Sequence, residues 1–303
     1  DEDLVGVDLG HWRYALNGAE PISAVVQERF AARFAHVGFR TESLMPVYGL
    51  SECALAVTFT AADGPKREMR ADADELAATG LVSAGARRIV SVGTPVPGAA
   101  IDVRGDDGES ASEGRVGRVW SRAPFVMHGY FGQPDASAEV IRDGWLDTGD
   151  LGFVHGGELF ITGRAKDVVI IRGANHSPQS FEECLGSVEG VRTGCAVALG
   201  VVPPGQDDEA LLVLAEYMPG APAGLEARIA AAIVEHTSIA PYAVVLLAPG
   251  TLPRTSSGKL RRGEALRLYL SGELEPPSPV TPLRLGAHVA RSLAAFARHR
   301  LHQ

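Results

Sequence analysis

The sequence predicts mixed α/β and α+β architecture in successive regions, and three observations predict it. Between Pro21 and Val37 apolar residues recur at helical spacing, and short apolar runs that suit strand or helix ends follow. From Arg88 to Ile161 the pattern changes to brief β-type runs punctuated by Gly, Pro and Asp. From Arg164 onward, strand-like and helix-like segments alternate. With 303 residues, 46% of them hydrophobic and 21% charged, the chain is long enough for two cores.

The first helix carries Ile22, Val25, Val26, Phe30 and Phe34 on its apolar positions, with Glu20-Pro21 as its entry and Gly38 as its C-cap. Ser43 to Tyr48 and Ala54 to Phe59 read as short buried elements flanking a loop at Tyr48 to Glu52. The runs ARRIVSVG, AAIDVRG, RVGRVWSRAP and GELFITG predict a small antiparallel barrel or sheet over residues 88–163, poor in helix. Beyond it come a strand at Val168 to Arg172, a helix at Gln179 to Leu185 and strands at Thr193 to Val201 and Leu211 to Tyr217. A helix at Leu225 to His236 and a strand at Val244 to Leu247 complete a separate small α+β unit over 164–271. Residues 272–303 read as a Pro-rich linker and a tail helix with Val289, Leu293 and Phe296 at helical spacing.

Net charge and composition exclude several classes of function. A formal charge of -9 argues against a protein that tracks a polyphosphate backbone, so no nucleic-acid partner is expected. Cys53, Cys184 and Cys195 are odd in number and widely spaced, which signals neither a disulfide framework nor a zinc site and fits a reducing cytoplasm. Apolar runs such as Tyr242 to Ala248 fall far short of the roughly 20 residues a membrane span needs. The acidic start DEDLVGVDLGHW is unlike a secretory leader.

Four segments carry candidate chemistry. In NGAEP, Asn17, Gly18, Ala19 and Glu20 form a small-residue turn at a helix start, which lets backbone approach a flat ligand; a plain helix N-terminus would look the same. In YGLSE, Tyr48 can stack on a purine and Gly49 supplies flexibility. Ser51 can bond a phosphate oxygen there, and Glu52 can hold Mg2+, although a solvated loop glutamate is the simpler reading of the segment alone. In GWLDTGDLG, Asp150 can accept ribose hydroxyls or bond its own turn. GRAKD and the distant PRTSSGKLRR place Arg164, Lys166 and Lys259 in short basic turns. Lys259, beyond Gly258, is able to bridge a carboxylate and an α-phosphate, or simply to be solvated.

In this order and spacing, NGAEP, YGLSE, GWLDTGDLG, GRAKD and PRTSSGKL resemble the successive core motifs of the adenylate-forming superfamily of acyl-CoA synthetases, peptide-synthetase adenylation domains and luciferases. YGLSECALAVTF, the segment from about Gly64 to Val92 and GELFITGRAKDVVIIRGANHSPQSFEE are most similar to fatty-acyl-AMP ligases. The resemblance covers about residues 10 to 270 and implies that 1–163 is the C-terminal part of a large adenylation domain, an α/β segment (1–87) plus a β-barrel (88–163). Residues 164–271 would be the small mobile domain. It further implies that ATP and Mg2+ are used and that the Asn17 to Glu20 turn, Tyr48, Gly49 and Ser51 border the nucleotide. Glu52 would bind Mg2+, Asp150 and Arg164 the ribose; Lys166 would be the hinge and Lys259 the adenylation lysine.

The implied reaction joins a fatty acid to AMP and then passes the acyl group to the phosphopantetheine thiol of a holo acyl carrier protein. An acyl-CoA ligase on an unusual carboxylate and a non-catalytic AMP-binding fragment are the alternatives. The extra segment within Ala61 to Arg88 is similar to the subfamily's insertion, which is associated with poor use of CoA. The family's phosphate loop has no counterpart before Asn17, so an N-terminal lobe or complementing subunit outside this sequence is implied. The chain also departs from the subfamily's wording at Ser51 and in GANHSPQSFE.

Overall fold

The computed structural model describes residues 4–62, 64 and 67–276. The expected linker and tail helix lie largely outside them, over 277–303. The first sheet is built from β1 (Ala15–Asn17), β2 (Leu44–Tyr48), β3 (Thr58–Phe59) and, in sequence after two further strands, β6 (Thr94–Pro95). β1 runs parallel to β2, whereas β2–β3 and β3–β6 are antiparallel. The parallel pair needs a crossover, which α1 (Ala24–Phe34) supplies. Ser23, not the Glu20-Pro21 entry, caps that helix, its Oγ accepting from the Val26 N–H at 3.3 Å. Val25 and Val26, expected on the buried face, are exposed at 45% and 53%, and Ala24, Gln27 and Ala31 are buried instead.

The segment after β3 folds as β4 (Glu68–Ala71), α2 (Ala73–Thr79) and β5 (Arg87–Val90), with β4 and β5 paired antiparallel. Asp72 caps α2 by accepting from the Glu75 N–H at 2.8 Å. Next come β7 (Ala100–Arg104), β8 (Gly117–Arg122), α3 (Pro134–Val140), β9 (Ile141–Arg142), β10 (Trp145–His155) and β11 (Glu158–Arg164).

The expected barrel is not closed: the strands follow one open path, β11-β10-β8-β7, with β9 beside β10. The reason lies at the outer edge of β11, which is already engaged. The Val92 N–H donates to the Leu159 carbonyl at 2.8 Å and the Leu159 N–H to the Gly93 carbonyl at 2.9 Å, so residues 91–93 occupy the edge that closure would require.

Beyond Arg164 come β12 (Val169–Ile171), β13 (Ala174–His176), α4 (Pro178–Glu182), β14 (Val191–Val201), β15 (Ala210–Tyr217), α5 (Leu225–Thr237), β16 (Ala243–Leu247) and α6 (Arg262–Leu270). β14 and β15 are antiparallel, and α5 crosses over to make β15 and β16 parallel. Because β15 is central, its Leu211 to Ala215 run is buried on both faces, against Phe181, Ile229 and Ile233 on one side and Leu247, Leu252 and Ala265 on the other. Arg262 of α6 bonds Glu182 of α4 at 2.5 Å, and the other carboxylate oxygen accepts the Ala198 N–H at 2.9 Å, so helix, helix and strand share one largely buried ion pair.

Glu216, fully buried on β15, accepts from Arg192 at 2.7 Å and from the Leu252 N–H at 2.9 Å. Burial pushes its pKa up, but the Gly250 and Leu252 N–H groups with Arg192 outweigh this and hold it below the usual carboxylate value. A depressed carboxylate stabilises the fold above its unfolded pKa, and that contribution is lost as pH falls through the folded value. Glu216→Gln is therefore expected to lower the urea midpoint at pH 7 and to reduce the loss of stability between about pH 6 and pH 3. Equal acid sensitivity in the two proteins would rule this out.

Among the described residues, no helix is long and apolar enough to cross a membrane.

Candidate functional site

The site forms where the first sheet meets the second. β2 ends at Tyr48, which is buried among Cys53, Val57, Val92 and Leu146. Its hydroxyl donates to Asp150 Oδ2 at 2.7 Å across 102 residues of sequence. On the other side of the carboxylate, Arg164 Nε donates to Asp150 Oδ1 at 2.9 Å, and the β10–β11 register sets these two residues opposite each other. Tyr48, Asp150 and Arg164 thus form one hydrogen-bonded chain. Burial raises the Asp150 pKa, opposed by the Tyr48 hydroxyl and the Arg164 charge; burial and the neighbouring carboxylate raise that of Tyr48. Each carboxylate oxygen has a second lone pair, so Asp150 can accept further hydroxyls without giving up either partner.

The turn before Asp150 is pinned by its neighbours. Asp147 accepts the Gly149 N–H at 3.0 Å and is gripped by Arg118 at 2.8 Å. Thr148 Oγ donates to the Val119 carbonyl at 2.7 Å and accepts the Asp150 N–H at 3.2 Å. The aspartate that bonds its own turn is therefore Asp147, which frees Asp150 to face Tyr48 and Arg164.

After Tyr48 the backbone folds back tightly. Residues Ser51 to Cys53 make a single 3-10 turn, Ala54 and Leu55 adopt left-handed φ of 49° and 79°, and the Val57 N–H returns to the Tyr48 carbonyl at 3.0 Å. A Cβ on Gly49 would lie 1.3 Å from the Leu55 carbonyl oxygen, so only glycine fits there. Within the turn, Ser51 is exposed and Glu52 is half-buried. Glu52 Oε1 accepts from the Tyr130 hydroxyl at 2.8 Å, and the Glu52 carbonyl accepts the Met127 N–H at 2.7 Å.

Asn17 ends β1 opposite Pro46, and a Cβ on Gly18 would sit 2.5 Å from the Val47 carbonyl, which brings the Asn17 to Glu20 turn against the end of β2. Ala19 holds a left-handed φ of 71° in that turn. An open cavity of about 410 Å3 lies beside the turn that precedes Asp150, lined by Glu52, Arg118, Tyr130, Arg142, Asp147 and Thr148 among others.

The structure thus brings together the Asn17 to Glu20 turn, Tyr48, Gly49, Asp150 and Arg164, with Glu52 beside them. Lys166 lies two residues beyond Arg164, exposed in a 3-10 turn. Lys259 is not brought in. It sits exposed on the loop before α6, and its ammonium has no hydrogen-bond or ion-pair partner among the described residues. Tyr130 and Arg118 were not singled out by the sequence, because their partners lie 78 and 29 residues away; Asp147 sits in GWLDTGDLG and bonds Gly149 two residues on, a local signal that the reading gave to Asp150 instead.

Residues 2–131 match the family model described as AMP-binding enzyme. Over these residues the chain is similar to the AMP-binding enzymes. Its relatives include fatty-acid ligases. It is 33% identical over 296 residues to the medium-chain-fatty-acid–[acyl-carrier-protein] ligase JamA of Moorena producens, covering 90% of this chain and 50% of that protein. It is 32% identical over 299 residues to the long-chain-fatty-acid–AMP ligase FadD26 of Mycobacterium marinum, covering 89% and 50%.

Among solved structures, one from a study of fatty acyl-adenylate ligases of E. coli and L. pneumophila superposes with a TM-score of 0.80 at 36% identity, covering 90% of this chain and 50% of that one. The chain spans about half the length of the curated relatives it matches.

Proposed function

We propose that this chain supplies the ribose- and metal-binding side of a fatty-acyl-AMP ligase. A fatty carboxylate oxygen would attack the α-phosphorus of ATP, the bond to the β-phosphate would break, and pyrophosphate would leave. The observation that carries this reading is the Tyr48–Asp150–Arg164 chain, a carboxylate fixed from both sides with lone pairs left for ribose hydroxyls. Tyr48 would orient Asp150 through its hydroxyl and border the nucleotide with the rim of its ring, and Gly49 would let the backbone beside it turn. The Asn17, Gly18, Ala19 and Glu20 turn would flank the adenine, and Ser51 would bond a phosphate oxygen.

The donor set fits Mg2+. Glu52 has Oε1 occupied by Tyr130 and its second oxygen without a partner, and no cluster of three or more acidic, His or Cys residues exists among the described residues. A single carboxylate with substrate phosphates and water is the usual protein contribution to such a magnesium site. The ion would neutralise phosphate charge. Lys259 would join the site only for adenylation, carried by a 164–271 unit that pivots near Lys166 relative to 1–163. The acceptor would be the thiol of a holo carrier protein; the name of the Moorena producens relative gives an acyl-carrier-protein for that protein.

The test is mass spectrometric. The chain is incubated with MgATP and a panel of fatty acids; acyl-AMP is expected, and its absence would overturn the reading. A second expectation concerns the ribose contact. Asp150→Asn should weaken AMP binding by about ten- to a hundredfold, since hydrogen bonds to a charged group contribute roughly 1.5–3 kcal/mol. Calorimetric titration giving equal affinities would remove Asp150 from the nucleotide site.

A further inference from the structure

Resting on that reading, we propose that Arg254 is a positioning residue that holds the Lys259 loop in a fixed shape for adenylation. The loop from Pro253 to Leu260 has little packing of its own: residues 254–259 are exposed, and Lys259 has only backbone hydrogen bonds. Its internal bonds are those of a tight reversal. The Thr255 N–H donates to the Lys259 carbonyl at 2.8 Å and the Gly258 N–H to the Thr255 carbonyl at 2.9 Å. Thr255 Oγ accepts the Lys259 N–H at 3.0 Å. A reversal this small is not rigid without an anchor to the body of the fold.

Arg254 is that anchor. Its Nη1 donates to the Gly258 carbonyl at 2.6 Å, across the mouth of the loop and one residue before Lys259. Its Nη2 donates to the Gly194 carbonyl at 2.9 Å and lies 3.1 Å from Cys195 Sγ, both on β14. One planar guanidinium therefore ties the loop to a strand whose next residues are core. A lysine could not do this, because a single ammonium lacks the fork that reaches both carbonyls at once. The start of the loop has a second anchor, the Leu252 N–H bond to buried Glu216. With both ends held, Lys259 is presented on a preformed turn, so less order has to be created when its ammonium meets charge developing on the α-phosphate.

The experiment compares Arg254→Ala and Arg254→Lys with the parent protein by hydrogen exchange of the loop amides and by separate assay of the two half-reactions. In Arg254→Ala the Gly258 and Lys259 amides should exchange at least about tenfold faster, with β15 unchanged, because a charged hydrogen bond of ordinary strength is lost at each end. Adenylate formation should fall at least about tenfold in kcat with KM for ATP unchanged, while transfer from preformed acyl-AMP is spared. Arg254→Lys should fall between the two.

Unchanged loop exchange would overturn the inference whatever the protein's activity. Faster exchange with unaltered adenylation, or with both half-reactions reduced alike, would also overturn it, reducing Arg254 to a structural contact. A parent protein that forms no acyl-AMP would instead overturn the proposed function and, with it, the purpose assigned to the loop.

Discussion

Lys259→Ala is expected to cut acyl-AMP formation by on the order of a hundred- to a thousandfold, the usual cost of removing one group aimed at transition-state charge. The residue stands exposed on a reversal held at Thr255 and Gly258, with no salt bridge to satisfy and no core to support. Its removal should leave the thermal midpoint within a degree or two, since exposed substitutions away from packed features change stability by no more than about 0.5 kcal/mol. Under the proposed mechanism the ammonium is needed only while charge develops on the α-phosphate, so transfer from supplied acyl-AMP should proceed at the parent rate. The decisive comparison is therefore the ratio of the two half-reactions in one variant. If adenylation survives the change, Lys259 has no such role; if both half-reactions fall together, the variant has lost something more general.

The largest structural effect is expected from Gly49→Ala. The added methyl would meet the Leu55 carbonyl oxygen at 1.3 Å and its carbon at 2.5 Å, and both belong to backbone that returns to Tyr48 through the Val57 N–H. Relief requires the fold-back from Gly49 to Val57 to open, which disturbs two left-handed residues, the Tyr48 end of β2 and the turn that carries Glu52. Overpacking of a closed core typically costs about 1–3 kcal/mol, and here the obstacle is main chain that cannot rotate away, so a loss of at least about 3 kcal/mol is expected. Urea titration measures it directly. A midpoint indistinguishable from the parent would mean that the segment rearranges freely and that the site geometry around Tyr48 is not fixed by it.

Much of the fold was legible because the signals were local. The strands at Leu44–Tyr48, Val191–Val201, Ala210–Tyr217 and Ala243–Leu247 and the helix at Leu225–Thr237 lie within a residue or two of their expected bounds. The helix at Arg262–Leu270 and the strand at Ala174–His176 were not predicted. The first lacks a continuous apolar stripe, burying only Ala265, and the second is three residues long. The exposure of Val25 and Val26 shows the limit of periodicity: an apolar position states what can be buried, not what neighbour is present to bury it.

The candidate site divides in the same way. The sequence by itself determined which segments concentrate a turn and a polar group within a few residues, namely NGAEP, YGLSE, GWLDTGDLG and PRTSSGKL. The order of those segments also carried the resemblance to the adenylate-forming superfamily. Only the tertiary structure decided that Tyr48 spends its hydroxyl on Asp150, that Asp147 rather than Asp150 holds the turn, and that Tyr130 steadies Glu52 from 78 residues away.

It also decided that the middle sheet stays open, because residues 91–93 occupy the edge of β11. The physical reason is common to all of these. Spacing along a chain fixes which groups lie on one turn or one face, whereas hydrogen-bond partners and sheet edges are chosen by which distant segments meet, and that follows only from how the whole chain packs.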